Sequence, residues 1–131
     1  MKKDIEIPVV KNVHIAIVQE WNDEFLSKDW NVYILNYRST PIDIVLVVSK
    51  GYDGDRKTSI MRHSLNTLEA KTFAKIEMIQ EDLFELNNEF SVTFFSEDKL
   101  FEKKYLFKKN IIHESQFVNI PLMNKEGILA E

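Results

Sequence analysis

Between Asn31 and Ser49 side chains alternate with a period of two, the repeat by which a β-strand sends successive residues to opposite faces. Val32 and Ile34 fall on one side, with Tyr33, Leu35 and Tyr37 on the other. After a turn at Ser39-Thr40-Pro41, Ile42, Ile44, Leu46 and Val48 share one side of a second strand, and Val45 and Val47 the opposite one. A strand that is apolar on both sides belongs in the middle of a sheet or beneath a covering layer. The pair therefore predicts an antiparallel sheet core.

The same period recurs on either side. Ile5, Ile7 and Val9 predict a strand over residues 4–10, at an edge or bent because Pro8 lacks an N–H, and Val13, Ile15 and Ile17 predict one over 12–20. Polar residues break the alternation from Trp21 to Trp30, which reads as a connection with a short helical turn placing Phe25 and Leu26 against the core. Residues 58–63 suit a short strand and 65–70 a corner. Over 72–79 the pattern puts Ala74, Ile76 and Met78 inward, Lys75 and Glu77 outward. Leu83, Phe84 and Leu86 fit one helical turn or a β-arch. Phe90, Val92 and Phe94 then line one face of a strand that the turn Ser96-Glu97-Asp98-Lys99 joins to a partner over 100–108. From Asn110 onward the chain holds Ile111, Ile112, Phe117, Val118, Ile120, Leu122 and Met123, too apolar for a free end, so it is expected to pack on the domain or on a second copy.

Seven or eight short strands with few helical periods describe an all-β fold, a β-sandwich of two antiparallel sheets with immunoglobulin-like topology. The length of 131 residues, with no internal repeat and no low-complexity linker, fits a single domain over 1–131. There is no cysteine, which removes disulfides, thiolate metal sites and cysteine nucleophiles, and points to a reducing compartment. Lys2 and Lys3 are followed by Asp4 and Glu6 rather than by an apolar run, and no stretch approaches the roughly 20 apolar residues of a membrane-spanning helix. A cytoplasmic protein without membrane association is expected. A net charge of −4 gives no global attraction for nucleic acid.

Motifs that carry chemistry are sparse. The loop from Gly51 to Lys57 brings Asp53 and Asp55 close enough to suggest Ca²⁺ or Mg²⁺, but Lys57 and Ser64 occupy positions where an EF-hand needs ligands. Tight-turn chemistry, with positive φ at Gly51 and Gly54, accounts for the same residues. Gly51-Tyr52-Asp53-Gly54 also spells the Gly-x-x-Gly of a KH loop, although its flanks read as strands rather than helices. Turn chemistry leaves Tyr52, Arg56 and Lys57 unexplained beside Arg62 and His63, so Tyr52, Asp53, Asp55, Arg56, Lys57, Arg62 and His63 form the first candidate interaction surface. A second candidate is the lysine-aromatic run Lys103, Lys104, Tyr105, Phe107, Lys108 and Lys109, whose rings could stack bases while its lysines neutralise phosphates. A sandwich edge strand guarded by lysines explains the same residues and is the preferred reading. Neither a nucleophile elbow nor a phosphate-binding glycine motif is present, and His14, His63 and His113 show no metal-ligand spacing. No catalytic residue, cofactor site or metal site is assigned.

Across Trp30 to Arg62, and again at Ala70-Lys-Thr-Phe-Ala-Lys-Ile-Glu77 and Val92-Thr-Phe-Phe-Ser-Glu-Asp-Lys-Leu-Phe101, the chain resembles a family of small Bacteroidetes proteins labelled phenylalanyl-tRNA synthetase alpha subunit. The likeness covers most of the chain, Val47 to Ser59 in particular. It implies a homologous small domain and not the synthetase activity. A class II catalytic domain needs several hundred residues and motif arginines, and arginine occurs here only at 38, 56 and 62. The expectation is a non-catalytic protein-interaction module that self-associates, for example as a homodimer, through an edge strand or the apolar tail. A tRNA- or nucleic-acid-associated accessory domain is one alternative, and a small-ligand or metal-binding protein at the 51–57 loop is another.

Overall fold

The computed structural model describes residues 8–130. Ten strands run in the order β1 (Val13–Asn22), β2 (Ser27–Asn36), β3 (Ile42–Asp53), β4 (Arg56–Lys57), β5 (Met61–Leu68), β6 (Thr72–Ile79), β7 (Asn87–Ser96), β8 (Lys99–Phe107), β9 (Val118–Ile120) and β10 (Lys125–Leu129). Short 3₁₀ turns at Glu81–Glu85 and Glu114–Gln116 are the helical segments among the described residues. Two antiparallel five-stranded sheets result. The first has the order β6-β2-β1-β10-β9. In the second, β3 lies between β7 and an interrupted edge made of β4 and β5, and β8 closes the other side.

The protein is thus an all-β sandwich. Its core interleaves Val13, Ile15 and Ile17 of β1 and Val32 and Ile34 of β2 with Val45 and Val47 of β3 and the rings of Phe90, Phe94, Phe101, Tyr105 and Phe107. Phe94 stacks on Phe101 with centroids 5.0 Å apart, and Phe107 meets Phe90 edge-on at 5.8 Å. Burying each such side chain stabilises the fold by about 1.5–3 kcal/mol. At the turn joining β7 to β8, Glu97 and Asp98 both take positive φ, 53° and 64°, as a two-residue hairpin with matching twist requires.

Two bulges shift the strand phase. In β3, Ile44 has φ 50° and the register against β7 slips between Asp43 and Leu46. Ile42 is buried, Ile44 is 68% exposed, and Val45 and Val47 take over the inner face. Leu46 and Val48 are only half-buried on the outer face, so β3 is central without being fully covered on both sides. In β6 the register slips between Val32 and Tyr33, leaving Ile76 without a partner residue. Glu77 therefore lies opposite Val32 and turns toward the space between the sheets, while Met78 faces solvent. That reverses the expected directions of Glu77 and Met78.

Three further expectations change. Ile5 and Ile7 lie outside the described residues, and residues 8–10 are not in a strand. The stretch from Trp21 to Trp30 is a hairpin rather than a helical connection, because β1 continues to Asn22 and β2 begins at Ser27. Asn22 Oδ1 accepts the backbone N–H groups of Glu24 (2.9 Å) and Phe25 (3.2 Å), holding a tight turn at which Leu26 takes φ 51°. Phe25 and Leu26 stand 71% and 73% exposed at its tip instead of packing on the core. Lastly, residues 61–68 are one continuous strand, and the corner falls at 69–71.

The tail packs on its own domain. β9 and β10 extend the first sheet beyond β1, and Ile120 and Met123 close over Ala16, Val18 and Leu35 as a second small core on the sheet's opposite face. Gly127 permits this approach. A Cβ there would lie 2.5 Å from the Ile17 carbonyl oxygen and 2.5 Å from Val18 Cγ1. No helix among the described residues is long and apolar enough to cross a membrane.

Candidate functional site

β2 pairs with β6 only as far as Trp30–Ile79, and β1 with β10 only at Ala16–Val18. Past those rungs the end of the β1–β2 hairpin has no third strand beside it. A cleft of about 830 Å³ opens there, lined by Glu20, Asp29, Asn31, Lys75 and Lys125, with the exposed residue Trp21 also on its lining. Period-two alternation explains the lining: Glu20 pairs with Asp29 and Val18 with Asn31, and paired residues of an antiparallel ladder share a face.

Glu20 is the centre of the cleft. Its Oε1 accepts the Tyr33 hydroxyl at 2.6 Å and Asn31 Nδ2 at 2.8 Å, and Oε2 pairs with the Lys125 ammonium. Burial pushes its pKa upward, but the bonds from Lys125, Tyr33 and Asn31 outweigh burial and hold the carboxyl below its ordinary value. The Tyr33 phenol is pushed far upward, by burial and by the carboxylate it donates to. Asn31 is only 6% exposed, and its other amide end, Oδ1, has no hydrogen-bond partner among the described residues. Asn22 Nδ2 donates to Asp29 Oδ2 at 2.7 Å. Asp23 and Glu126 add carboxylates at the margin. Chemically the cleft sets the carboxylates of Glu20, Asp23, Asp29 and Glu126 beside the ammoniums of Lys75 and Lys125.

The residues first singled out around the 51–57 loop do not converge. Tyr52 pairs with Lys57 and Val48 with Arg62, which places Tyr52, Lys57 and Arg62 on the outer face of the second sheet. Asp53 pairs with Arg56 and Val47 with His63, on the opposite face. Asp53 binds the Arg56 guanidinium at 2.9 Å and the Lys109 ammonium at 3.3 Å, and these partners hold its carboxyl below the usual range. Asp55 is exposed at the hairpin tip. Among the described residues no group of three His, Asp or Glu side chains is placed to hold a metal ion. Gly54 has the expected positive φ of 61°, whereas Gly51 is within β3 and is small for another reason: a Cβ would stand 3.0 Å from Thr58 Cγ2.

His63 meets a partner from the other sheet. Its Nε2 lies 2.6 Å from Glu77 Oε1, the oxygen to which Ser49 Oγ donates at 3.0 Å. Ser49 gives its proton to the carboxylate and not to His63, so the trio lacks the nucleophile–base bond of a hydrolase. It fastens β5 and β3 of one sheet to β6 of the other.

The lysine-aromatic strand is corrected by burial. Tyr105 and Phe107 are each 1% exposed on the inner face of β8, and the Tyr105 hydroxyl donates to the Val13 carbonyl. Burial raises the Tyr105 phenol well above its ordinary pKa. Rings committed to the core cannot stack on bases. Lys103 lies beside the Tyr105 ring, with Lys104, Lys108 and Lys109 exposed nearby, and β8 is the terminal strand of its sheet. Lysines there oppose unwanted strand addition.

Sequence reasoning missed the cleft because it read residues 21–30 as a connection. Two signals pointed to it: the Asn22-Asp23 pair, which favours a tight turn, and the alternation of Asp29 and Asn31 with Trp30 and Val32, which carries the strand back to the turn. Comparison with protein-family models, curated proteins and solved structures finds no match.

Proposed function

We propose that this chain is a non-catalytic cytoplasmic interaction module that self-associates. One observation carries the reading: Trp21, Phe25 and Leu26 stand 57%, 71% and 73% exposed on a single projecting hairpin. Apolar side chains grouped on a protruding element are typical of surfaces that a protein partner covers. With the tail folded into the first sheet and β8 guarded by lysines, the hairpin is the surface best suited to association. The Ser49–Glu77 bond favours a structural role for the most enzyme-like trio, which supports a non-catalytic reading. The absence of cysteine is compatible with a reducing cytoplasm.

For the scaffold we favour an immunoglobulin-like arrangement, with β1, β2 and β6 opposed to β5, β3, β7 and β8, and the β9–β10 hairpin as an addition at β1. The resemblance to the small Bacteroidetes proteins fits a shared domain of this kind. Light scattering across a concentration series tests the reading. The mass should rise with concentration, and a Trp21→Ser/Phe25→Ser/Leu26→Ser variant should remain a monomer with an unchanged melting temperature. A wild-type protein that stays monomeric throughout would overturn self-association.

A further inference from the structure

The free edges of the two sheets are not alike. β8 carries Lys99, Lys103 and Lys104 along one edge of the second sheet, β9 is three residues long, and β6 is broken by the bulge at Ile76. Each of these features discourages the addition of another strand. β5 has none of them. Over Met61–Leu68 it pairs with β3 alone, in one register, and it contains no lysine, proline or glycine. The contact of His63 with Glu77 of the other sheet and the burial of Leu68 hold this edge in place. In an antiparallel pair every second residue turns its N–H and C=O away from the partner strand. One side of β5 therefore presents a row of backbone groups beside which, among the described residues, no strand lies.

The side chains along that edge decide which strand it suits. Arg62 pairs with Val48 and Lys57 with Tyr52, so both cations stand on the outer face of the sheet, and both are exposed without a carboxylate partner among the described residues. Beside them a hollow of about 420 Å³ is lined by Lys50, Tyr52, Lys57 and Ile60, and Glu89, which lines it too, is paired with Lys50 at 3.8 Å. On the inner face Met61 is 49% exposed and Leu65 half-buried, which leaves apolar surface at the rim. We propose that β5 accepts an extended segment of another protein as an added antiparallel strand, with acidic side chains on the outer face beside Lys57 and Arg62 and apolar ones on the inner face beside Met61 and Leu65. Strand addition draws affinity from backbone hydrogen bonds and selectivity from alternate side chains. A second copy suits the edge less well, because β5 has no Asp or Glu to set against Arg62. A nucleic-acid strand would place phosphates on the same cations but leave the backbone groups of β5 and the apolar rim uncovered.

This surface lies on a different strand from the hairpin proposed for self-association, and it is tested separately. The probe is a capped octapeptide of alternating glutamate and valine, titrated against the isotope-labelled full chain by NMR. It should shift the backbone amides from Arg62 to Thr67 with roughly millimolar affinity, as expected of a short flexible ligand. The counterpart with lysine in place of glutamate should bind at least about tenfold more weakly, and a Lys57→Ser/Arg62→Ser variant, whose substitutions are both exposed, should weaken the glutamate peptide by a similar factor. Successive N–H groups of a strand point to opposite edges, so methylating the glutamate nitrogens blocks one edge of the peptide and methylating the valine nitrogens blocks the other. One methylated peptide should bind as the parent does, and the other should lose binding. The Trp21→Ser/Phe25→Ser/Leu26→Ser variant should bind the parent peptide as wild type does. No shifts along β5, equal binding of the glutamate and lysine peptides, equal behaviour of the two methylated peptides, or loss of binding in the hairpin variant would overturn the proposal. So would a short oligouridine that binds these amides more tightly than the peptide.

Discussion

Replacing Tyr105 by Phe removes one oxygen atom, and the structure sets what that atom is worth. The carbonyl of Ile15 accepts the N–H of Ala130, at the end of the β10 segment. Two residues earlier, Val13 points its carbonyl to the same side of β1, beyond the last residue of β10. The Tyr105 hydroxyl takes that position, joining the terminal strand of the second sheet to β1 of the first. Both residues are 1% exposed, so water does not readily replace the lost donor. The cost is therefore that of a buried unsatisfied carbonyl, about 1–3 kcal/mol, with the ring packing unchanged. A midpoint near 2 kcal/mol corresponds to a fall in melting temperature of about 6–10 °C for a domain of this size. Urea unfolding should show a lower midpoint with the same m-value, because the surface exposed on unfolding hardly changes. Tyr37→Phe is the internal control. Its hydroxyl makes an exposed 3.4 Å bond to the Pro121 carbonyl, and its loss should change stability by less than about 0.5 kcal/mol. Equal effects of the two substitutions, or a Tyr105→Phe protein as stable as wild type, would refute the reasoning.

Two other outcomes are expected. Gly127→Ala should destabilise the domain by about 1–3 kcal/mol, since the new methyl would meet backbone and Val18 at 2.5 Å, and amide exchange should quicken first in β9 and β10; unaltered exchange there would count against close packing of that hairpin. Glu20 has a folded-state pKa below the ordinary 4.5, so its stabilising contribution is complete above about pH 4.5 and is lost as pH falls through the lowered value. The difference in melting temperature between wild type and Glu20→Gln should accordingly shrink on acidification below pH 4.5, and a difference that widened would show that the hydrogen bonds to Glu20 do not favour its charged form.

What the sequence determined by itself follows from local periodicity. Alternation places Val13, Ile15 and Ile17, then Val32 and Ile34, then Phe90, Val92 and Phe94 on single faces, and all of them line the core. The Glu97-Asp98 turn is equally local, because two residues with positive φ suffice to reverse an antiparallel pair. Tertiary structure decided everything that depends on which strand lies beside which. The bulges at Ile44 and Ile76 are invisible to a period-two reading, and each inverts the facing of the residues around it, which is how Glu77 came to be misassigned. Tyr105 and Phe107 could serve a core or a base-stacking surface equally well until burial committed them to the core. The 51–63 cluster dissolved because neighbours in sequence point to opposite faces of a sheet. The cleft around Glu20 formed for the converse reason: the β1–β2 hairpin sets Glu20 on one face with Asn31 and Tyr33, and Lys125, distant in sequence, joins them because the tail returns to pair with β1.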